Sequence, residues 1–279
     1  MAAVIPGYTT GEDVRPADMV AIGSAWSCPL FDGEFYRSAE PHVVDTPITG
    51  LVFVQSRDGN TVTTDPSTLG GGATDLHLVY EGLSRVDADG VLAGSATARA
   101  TDIVFSVWHP ELVSLRLARG RSRHPAQVLI TDRGDLRFDE GLMFQEPDLR
   151  VFVITRSSVA HGMRKRLQQK PWIEVIDAGE PLSLTRGLRD LRRQGIGVLS
   201  CVGGRRTATG LIADCLVSDI YLTTSAIDGG EPGTPFYDGP PVSLKRIVLK
   251  DGRGPERGVR FEHLVMNFQP PTANSQGKW

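Results

Sequence analysis

The residues best suited to binding chemistry are the glycine pair Gly203 and Gly204, which separates an apolar run from polar residues that begin at Arg205. The apolar run 197–202 predicts a strand, and the residues after Arg205 have a helix-like spacing. A strand that ends at glycines just before a helix exposes backbone N–H groups at the positive end of that helix. The pattern therefore predicts a phosphate or nucleotide ligand, although a glycine pair can also simply end a strand.

Two more polar segments follow apolar runs. Ser56 to Gly59, with the sequence SRDG, follows the run 50–54, and Gly94 to Thr97 follows the run 88–93. Each also has a simpler explanation, because Asp, Asn and Gly form turns and because Ser95 or Thr97 can cap a helix.

These segments need a scaffold of alternating strands and helices. Apolar runs predict strands at 50–54, 88–93, 126–130, 150–154, 173–176 and 197–202. Helical spacing predicts helices at 75–86, 158–168 and 183–194, and a helical turn at 95–100. Alternation of this kind predicts a parallel sheet with crossover helices. Further strands at 219–226, 247–249 and 260–268 are expected to close the sheet, some of them antiparallel.

The predicted organisation is one domain with two flanking segments. Residues 1–44 are rich in turn formers and are interpreted as an N-terminal extension with one short helix near Ala17 to Ser24. The domain is predicted to span 45–269. Residues 270–279 have no periodicity and are predicted to be a disordered tail.

Composition sets broad limits. The chain has 279 residues, of which 40% are hydrophobic and 23% charged, as in globular proteins. Its net charge of −3 gives no general attraction to nucleic acid or to an anionic membrane. No apolar run approaches the roughly 20 residues that span a bilayer. Three cysteines without a C-x-x-C pair and the absence of a signal-like start predict a cytoplasmic protein. The six histidines show no metal-ligand spacing, so no metal site is predicted.

In order along the chain, four segments resemble the reductase domain of riboflavin-biosynthesis proteins: Ser56 to Gly59, Ala88 to Gly94, Val198 to Asp219 and Val259 to Phe261. The resemblance covers residues 46–268. It implies an α/β fold of the dihydrofolate-reductase-like type, with a mostly parallel central sheet, crossover helices and antiparallel closing strands. It also implies an NADPH-dependent reductase, usually a homodimer, with a small-molecule substrate.

The resemblance further implies which residues hold the cofactor. Backbone donors after two strands would bind the pyrophosphate, and the hydroxyl and guanidinium groups after 150–154 would favour NADPH by binding its 2′-phosphate. A helix N-cap explains Ser157 or Ser158 equally well. The predicted cofactor-binding residues are Ser56, Gly94, Ser95, Ala96, Thr97, Thr155, Arg156, Ser157, Gly203, Gly204, Arg205, Arg206 and Thr207.

The substrate side departs from the family pattern. The position of a substrate-binding Asp falls on Thr101, with Asp102 one residue out of register, and Val202 replaces an acidic residue before the glycine pair. Arg116 and Arg119 come too late to match the family's phosphate-binding Arg. We interpret the chain as a relative that kept the hydride donor and changed its substrate. His109-Pro110-Glu111 matches the H-x-E of the zinc deaminase that bifunctional relatives carry, but no P-C-x-x-C follows.

Hydride transfer to a carbonyl or imine also needs a proton. Asp58 and Asp102 are the predicted catalytic residues, because both follow strand ends that should border the crevice; the alternative is that Asp58 only shapes its turn. Three functions stay open: a reductase of a small polar, possibly heterocyclic substrate; 5-amino-6-(5-phosphoribosylamino)uracil reductase; and a non-catalytic NADPH-binding protein.

Overall fold

The computed structural model describes residues 8–11, 19–22, 36–61, 66–99, 102–252 and 256–266. The strands are β1 Tyr8–Gly11, β2 Met19–Ala21, β3 Tyr36–Ser38, β4 Ile48–Gln55, β5 Gly90–Gly94, β6 Ala126–Ile130, β7 Val151–Thr155, β8 Ile173–Asp177, β9 Val198–Cys201, β10 Asp219–Thr224, β11 Val242–Asp251 and β12 Arg260–Met266. The α-helices are α1 Ser95–Ala98, α2 Pro110–Ala118, α3 Ser157–Arg166, α4 Leu184–Arg193 and α5 Arg205–Ala213. A π-helix spans Thr74–Leu83, and short 3-10 helices span Pro66–Leu69 and Leu142–Phe144.

One large sheet has the strand order β1-β11-β12-β10-β4-β9-β5-β6-β7-β8. Within the described ranges, β12 is antiparallel to β10 and β11, and every other neighbouring pair of this sheet is parallel. The mostly parallel sheet with antiparallel closing strands is therefore confirmed. The carboxyl ends of β10, β4, β9, β5, β6, β7 and β8 lie along one edge, which we term the carboxyl edge.

A hydrophobic core covers each face of the sheet. Successive residues of β5 point to opposite faces: Leu92 joins the core that contains Leu188 of α4 and Leu211 of α5, and Val91 joins the core that contains Met163 of α3. All residues of β5 are buried. Continuous burial is typical of a parallel strand that helices cover on both sides.

Helix α4 shows why the sequence forms a crossover helix here. Its N-cap residue Ser183 accepts a hydrogen bond from the backbone N–H of Arg186 at 3.2 Å. Gly187 allows the helix to approach β7 closely, because a Cβ at that position would lie 2.6 Å from Cγ2 of Ile154. The buried Leu188 and Leu191 then anchor the apolar face. These contacts fix α4 against the sheet.

Sequence and structure differ in three places. The predicted short helix near Ala17 to Ser24 is wrong where it is described, since Met19–Ala21 is strand β2 and pairs with β3. Pairing with another strand outweighs weak local helical preference. Helix α2 was missed, although Pro110 at its first position is a start signal. Strand β1, in the predicted extension, pairs with β11 of the main sheet. The predicted tail 270–279 lies outside the described residues.

No helix in the described ranges has the length and apolar character to cross a bilayer.

Candidate functional site

Glycines from two neighbouring strands meet at the carboxyl edge. The backbone N–H of Gly94, at the end of β5, donates to the carbonyl of Gly203 just after β9, at 3.3 Å. A Cβ added to Gly204 would lie 3.4 Å from both Cα and N of Gly94, and one added to Gly94 would lie 3.0 Å from Oγ1 of Thr207. Side chains larger than glycine would thus fill the space between these segments, which we term the glycine cradle.

Both helices that begin at the cradle have open N-termini. The N-cap residues are Gly94 for α1 and Gly204 for α5, and neither helix start has a side-chain cap. Gly204 adopts φ of 90°, a conformation that favours glycine. Backbone N–H groups at uncapped helix starts are donors that suit an anion. The residues present therefore fit a phosphate-bearing cofactor.

The other predicted cradle residues surround these glycines. Oγ1 of Thr97 would lie 3.4 Å from a Cβ placed on Gly203, so the first turn of α1 faces the segment after β9. Arg205 is half-buried and donates from Nη1 to the carbonyl of Gly233 at 3.4 Å, while Arg206 is exposed. Ser95 and Ala96 complete the start of α1. The structure thus brings together the Gly94–Thr97 and Gly203–Thr207 segments.

The predicted 2′-phosphate residues lie two strands away from β5, at the end of β7. Thr155 is fully buried and its hydroxyl donates to the carbonyl of Thr131 at 2.7 Å. The Ser157 hydroxyl donates to Asp177 at 2.6 Å. Arg156 lies 3.5 Å from Glu180 and is partly exposed. Arg156 is the cation among these three residues, and its side chain is partly exposed. That the three residues bind the 2′-phosphate stays a prediction.

The SRDG turn after β4 is saturated with hydrogen bonds. Oδ1 of Asp58 accepts from the Ser56 hydroxyl at 2.5 Å and from the backbone N–H of Gly229 at 3.3 Å. Oδ2 accepts from the side-chain amide of Asn60 at 2.8 Å. The bond from Ser56, followed by those from Gly229 and Asn60, holds the pKa of Asp58 below its usual range. An ionised carboxylate with all these partners shapes the turn and is a poor proton donor.

The loop 225–234 connects this turn to the cradle. The backbone N–H of Arg57 donates to the carbonyl of Ile227 at 2.7 Å, and the backbone N–H of Thr234 donates to Oδ1 of Asn60 at 3.3 Å. Gly233 in the same loop accepts the bond from Arg205. The loop therefore ties the turn after β4 to the start of α5, a connection between distant segments that local sequence patterns do not show.

A second carboxyl group, missed from the sequence, lies against strand β10, next to β4. Asp75 is in the first turn of the π-helix and is 7% exposed. Burial raises its pKa to about 6, against a smaller lowering by the hydroxyl of Thr223. Thr223 pairs with Val54 of β4, so Asp75 lies at the carboxyl edge. The sequence around Asp75 contains no motif, so only the burial of this residue in the folded structure identifies it.

Two other residues of the predicted substrate side, Asp102 and Arg116, lie in different environments. Asp102 is exposed and directly follows the undescribed residues 100 and 101, which include Thr101. Arg116 is fully buried and donates to the backbone carbonyls of Arg85 at 2.6 Å and Ala88 at 2.7 Å. Burial lowers the pKa of Arg116 to about 10. Arg116 therefore holds the scaffold together and does not face a ligand.

The family is decided by comparison with known proteins. The family model described as "RibD C-terminal domain" matches residues 50–251. The chain belongs to this family. Members of the RibD C-terminal domain family are NADPH-dependent oxidoreductases, so the chain is an oxidoreductase of that kind. No curated protein sequence matches the chain.

Solved structures show the same fold. A pyrimidine reductase-like protein from Corynebacterium diphtheriae is 20% identical with a TM-score of 0.65, covering 80% of this chain and 93% of that one. RibD of Acinetobacter baumannii is 15% identical with a TM-score of 0.63; the match covers 80% of this chain and 59% of RibD. The riboflavin biosynthesis reductase Rib7 of Saccharomyces cerevisiae is 16% identical with a TM-score of 0.58, covering 82% and 93%. The dihydrofolate-reductase-like fold is confirmed.

Proposed function

We propose that this RibD C-terminal domain protein is an NADPH-dependent reductase that transfers hydride to a carbonyl or imine of a small polar, possibly heterocyclic substrate. The observation that carries the proposal is the glycine cradle, where two uncapped helix starts meet on neighbouring strands. Such donors suit a pyrophosphate. Bound NADPH would supply the hydride, while the chain would bind and orient it through Gly94–Thr97 and Gly203–Thr207.

The region of the carboxyl edge next to β4 would serve the substrate. Because Asp58 is ionised and both of its oxygens accept hydrogen bonds within the turn and its loop, we assign it to the shape of the turn and to substrate orientation. Burial raises the pKa of Asp75 to about 6, so this group keeps its proton to a higher pH than an exposed carboxyl group does, as a proton donor requires. We therefore propose Asp75 as the proton donor, with Asp102 as the second candidate.

The first experiment separates a cofactor-binding protein from one that binds none. NADPH is titrated into the protein by calorimetry and NADPH fluorescence, with NADH as the comparison. We expect binding of NADPH, with NADH at least about tenfold weaker if Arg156 meets a 2′-phosphate. No binding of either nucleotide would refute the proposal.

The second experiment separates the three functions. NADPH oxidation is followed by absorbance with a panel of heterocyclic carbonyl and imine compounds that includes 5-amino-6-(5-phosphoribosylamino)uracil. Turnover of the uracil compound would favour the riboflavin-pathway alternative, which the altered positions at Thr101 and Val202 oppose. Turnover of another compound supports the proposal, and tight binding without any turnover favours a non-catalytic NADPH-binding protein.

The acid is identified with single variants assayed on whichever substrate is turned over. Asp75→Asn is expected to lower kcat at least about 30-fold without weakening NADPH binding, in the range of lost general acid catalysis. It should also remove the decline of kcat as pH rises through about 6. Asp102→Asn is the parallel test. Full activity of Asp75→Asn would refute its assignment.

We also propose that the protein acts in the cytoplasm as a homodimer without nucleic-acid or membrane partners. Light scattering after size-exclusion chromatography tests the dimer, and a monomer at micromolar concentration would refute it.

A further inference from the structure

Folding brings together three metal-ligand side chains that are distant in sequence. His77 and Glu81 lie on the π-helix, and His109 is the N-cap residue of α2. One ligand atom from each of these residues lies within 4.8 Å of the others. Sequence spacing predicted no metal site because the third ligand comes from a separate segment.

Glu81 lies at the centre of this cluster. Its Oε2 lies 2.6 Å from Nδ1 of His109 and 3.6 Å from Nδ1 of His77. The two imidazole rings are in contact, with centroids 3.6 Å apart. Both Nδ1 atoms thus approach one carboxylate oxygen, and ligand atoms in a zinc site are separated by similar distances because each lies about 2 Å from the metal.

The carboxylate of Glu81 is already fixed in position. Its Oε1 accepts the backbone N–H groups of Trp108 at 2.5 Å and His109 at 2.9 Å, and its side chain is 7% exposed. Oε1 is therefore held by backbone donors, while Oε2 faces the two histidines.

Glu111 supplies the outer contact that metal-binding histidines usually have. Its Oε1 lies 2.8 Å from Nε2 of His77. A histidine that binds a metal through one nitrogen commonly donates its other N–H to a carboxylate, which fixes the ring and strengthens the ligand. His77 has this arrangement, with Nδ1 towards Glu81 and Nε2 towards Glu111.

We propose that His77, Glu81 and His109 bind one divalent transition-metal ion of the zinc class, with Glu111 as a positioning residue. Two imidazole nitrogens and one carboxylate favour such an ion over Mg²⁺ or Ca²⁺, which prefer oxygen ligands. For the ion to bind Nδ1 of His109, the hydrogen that this atom donates to Glu81 moves to Nε2 of the same neutral ring, so no proton is lost overall. The ion joins the π-helix to the segment before α2. It is distinct from the cradle and takes no part in hydride transfer.

The direct test is calorimetry of ZnCl₂ with the full-length protein after chelator treatment and dialysis. We expect one Zn²⁺ per chain, with Kd raised at least about 30-fold in His77→Gln, Glu81→Gln and His109→Gln. Glu111→Gln should weaken binding by about tenfold. The matched control is His161→Gln, an exposed histidine on α3, and it should bind as the wild type does.

Trp108 provides a second measurement, because it is 58% exposed and precedes His109. Cu²⁺ or Ni²⁺ should quench tryptophan emission at stoichiometric concentration, and Trp108→Phe should abolish most of that quenching. Circular dichroism melting of the metal-free variants shows whether they are folded.

Two results would overturn the proposal: no stoichiometric Zn²⁺ binding by the wild type, or unchanged Zn²⁺ binding in a folded His77→Gln/His109→Gln double variant. Neither result bears on NADPH binding, so this site and the proposed reductase activity are tested separately.

Discussion

Two regions of the carboxyl edge are built differently. Between β5 and β9, the glycine cradle presents backbone N–H groups at uncapped helix starts and almost no side-chain bulk. The region beside β4 instead presents two carboxyl side chains. Asp58 accepts several hydrogen bonds, whereas Asp75 is buried and its pKa is raised. Backbone donors can bind phosphate without depending on a particular side chain, whereas proton transfer requires one. The difference supports our proposal that cofactor binding belongs to the first region and proton transfer to the second.

The largest expected effect concerns the buried carboxyl group of the β4 side. Because the folded-state pKa of Asp75 is raised to about 6, its protonated form stabilises the fold at low pH, and this stability is lost as pH rises through 6. Relative to Asp75→Asn, the wild type should lose about 2 kcal/mol of unfolding free energy between about pH 4.5 and 8. Urea unfolding at both pH values measures this. Parallel pH profiles for the two proteins would contradict the prediction.

Gly94→Ala tests the cradle itself. The added methyl group would meet Oγ1 of Thr207 at 3.0 Å and occupy the space between the helix starts. We expect the Kd for NADPH to rise about 30-fold, as for a lost set of charge-assisted hydrogen bonds. Gly162→Ala on α3 is the matched control, because nothing lies within 4 Å of its added Cβ. Equal NADPH affinity in the two variants would show that the cradle does not bind the cofactor.

A smaller effect is expected from the cations at the start of α5. Arg205→Ala and Arg206→Ala should each weaken NADPH binding about fivefold, and less at high salt, because exposed charges are screened. Arg189→Ala, an exposed arginine on α4, is the control. Isothermal titration at low and high NaCl measures the difference. A loss of the same size in the control would indicate a general charge effect.

The smallest effect on turnover is expected at Asp58. Asp58→Asn keeps an acceptor for Ser56 and Gly229, so kcat should change less than about threefold if the residue only shapes its turn and orients the substrate. A loss of kcat of about 100-fold, with the NADPH Kd unchanged, would indicate that Asp58 is the proton donor. The two carboxyl groups would then not have the separate roles that we propose.

Local patterns predicted most of the fold, and the family resemblance supplied the expected cofactor-binding segments. Apolar runs located β5 and β7, and helical spacing located α4, because burial on the sheet imposes those periods. The family resemblance implied that the Gly94 and Gly203–Gly204 segments serve the same cofactor, and in the structure they lie together at the ends of the neighbouring strands β5 and β9. Asp75 and the contacts of loop 225–234 were missed because tertiary burial and long-range hydrogen bonds create them. His77, Glu81 and His109 were missed for the same reason.

The position of β4 has a consequence for biosynthesis. This strand pairs on one side with β9, from Ile48↔Val198 to Leu51↔Cys201, and on the other with β10, from Gly50↔Asp219 to Gln55↔Thr224. During translation the edge that pairs with β9 stays unpaired until Cys201 has left the ribosome, and the edge that pairs with β10 stays unpaired until Thr224 has. Pairings between such distant segments form slowly, and unpaired apolar strands invite aggregation. Translation speed and chaperone access before that point should therefore govern the yield of folded protein.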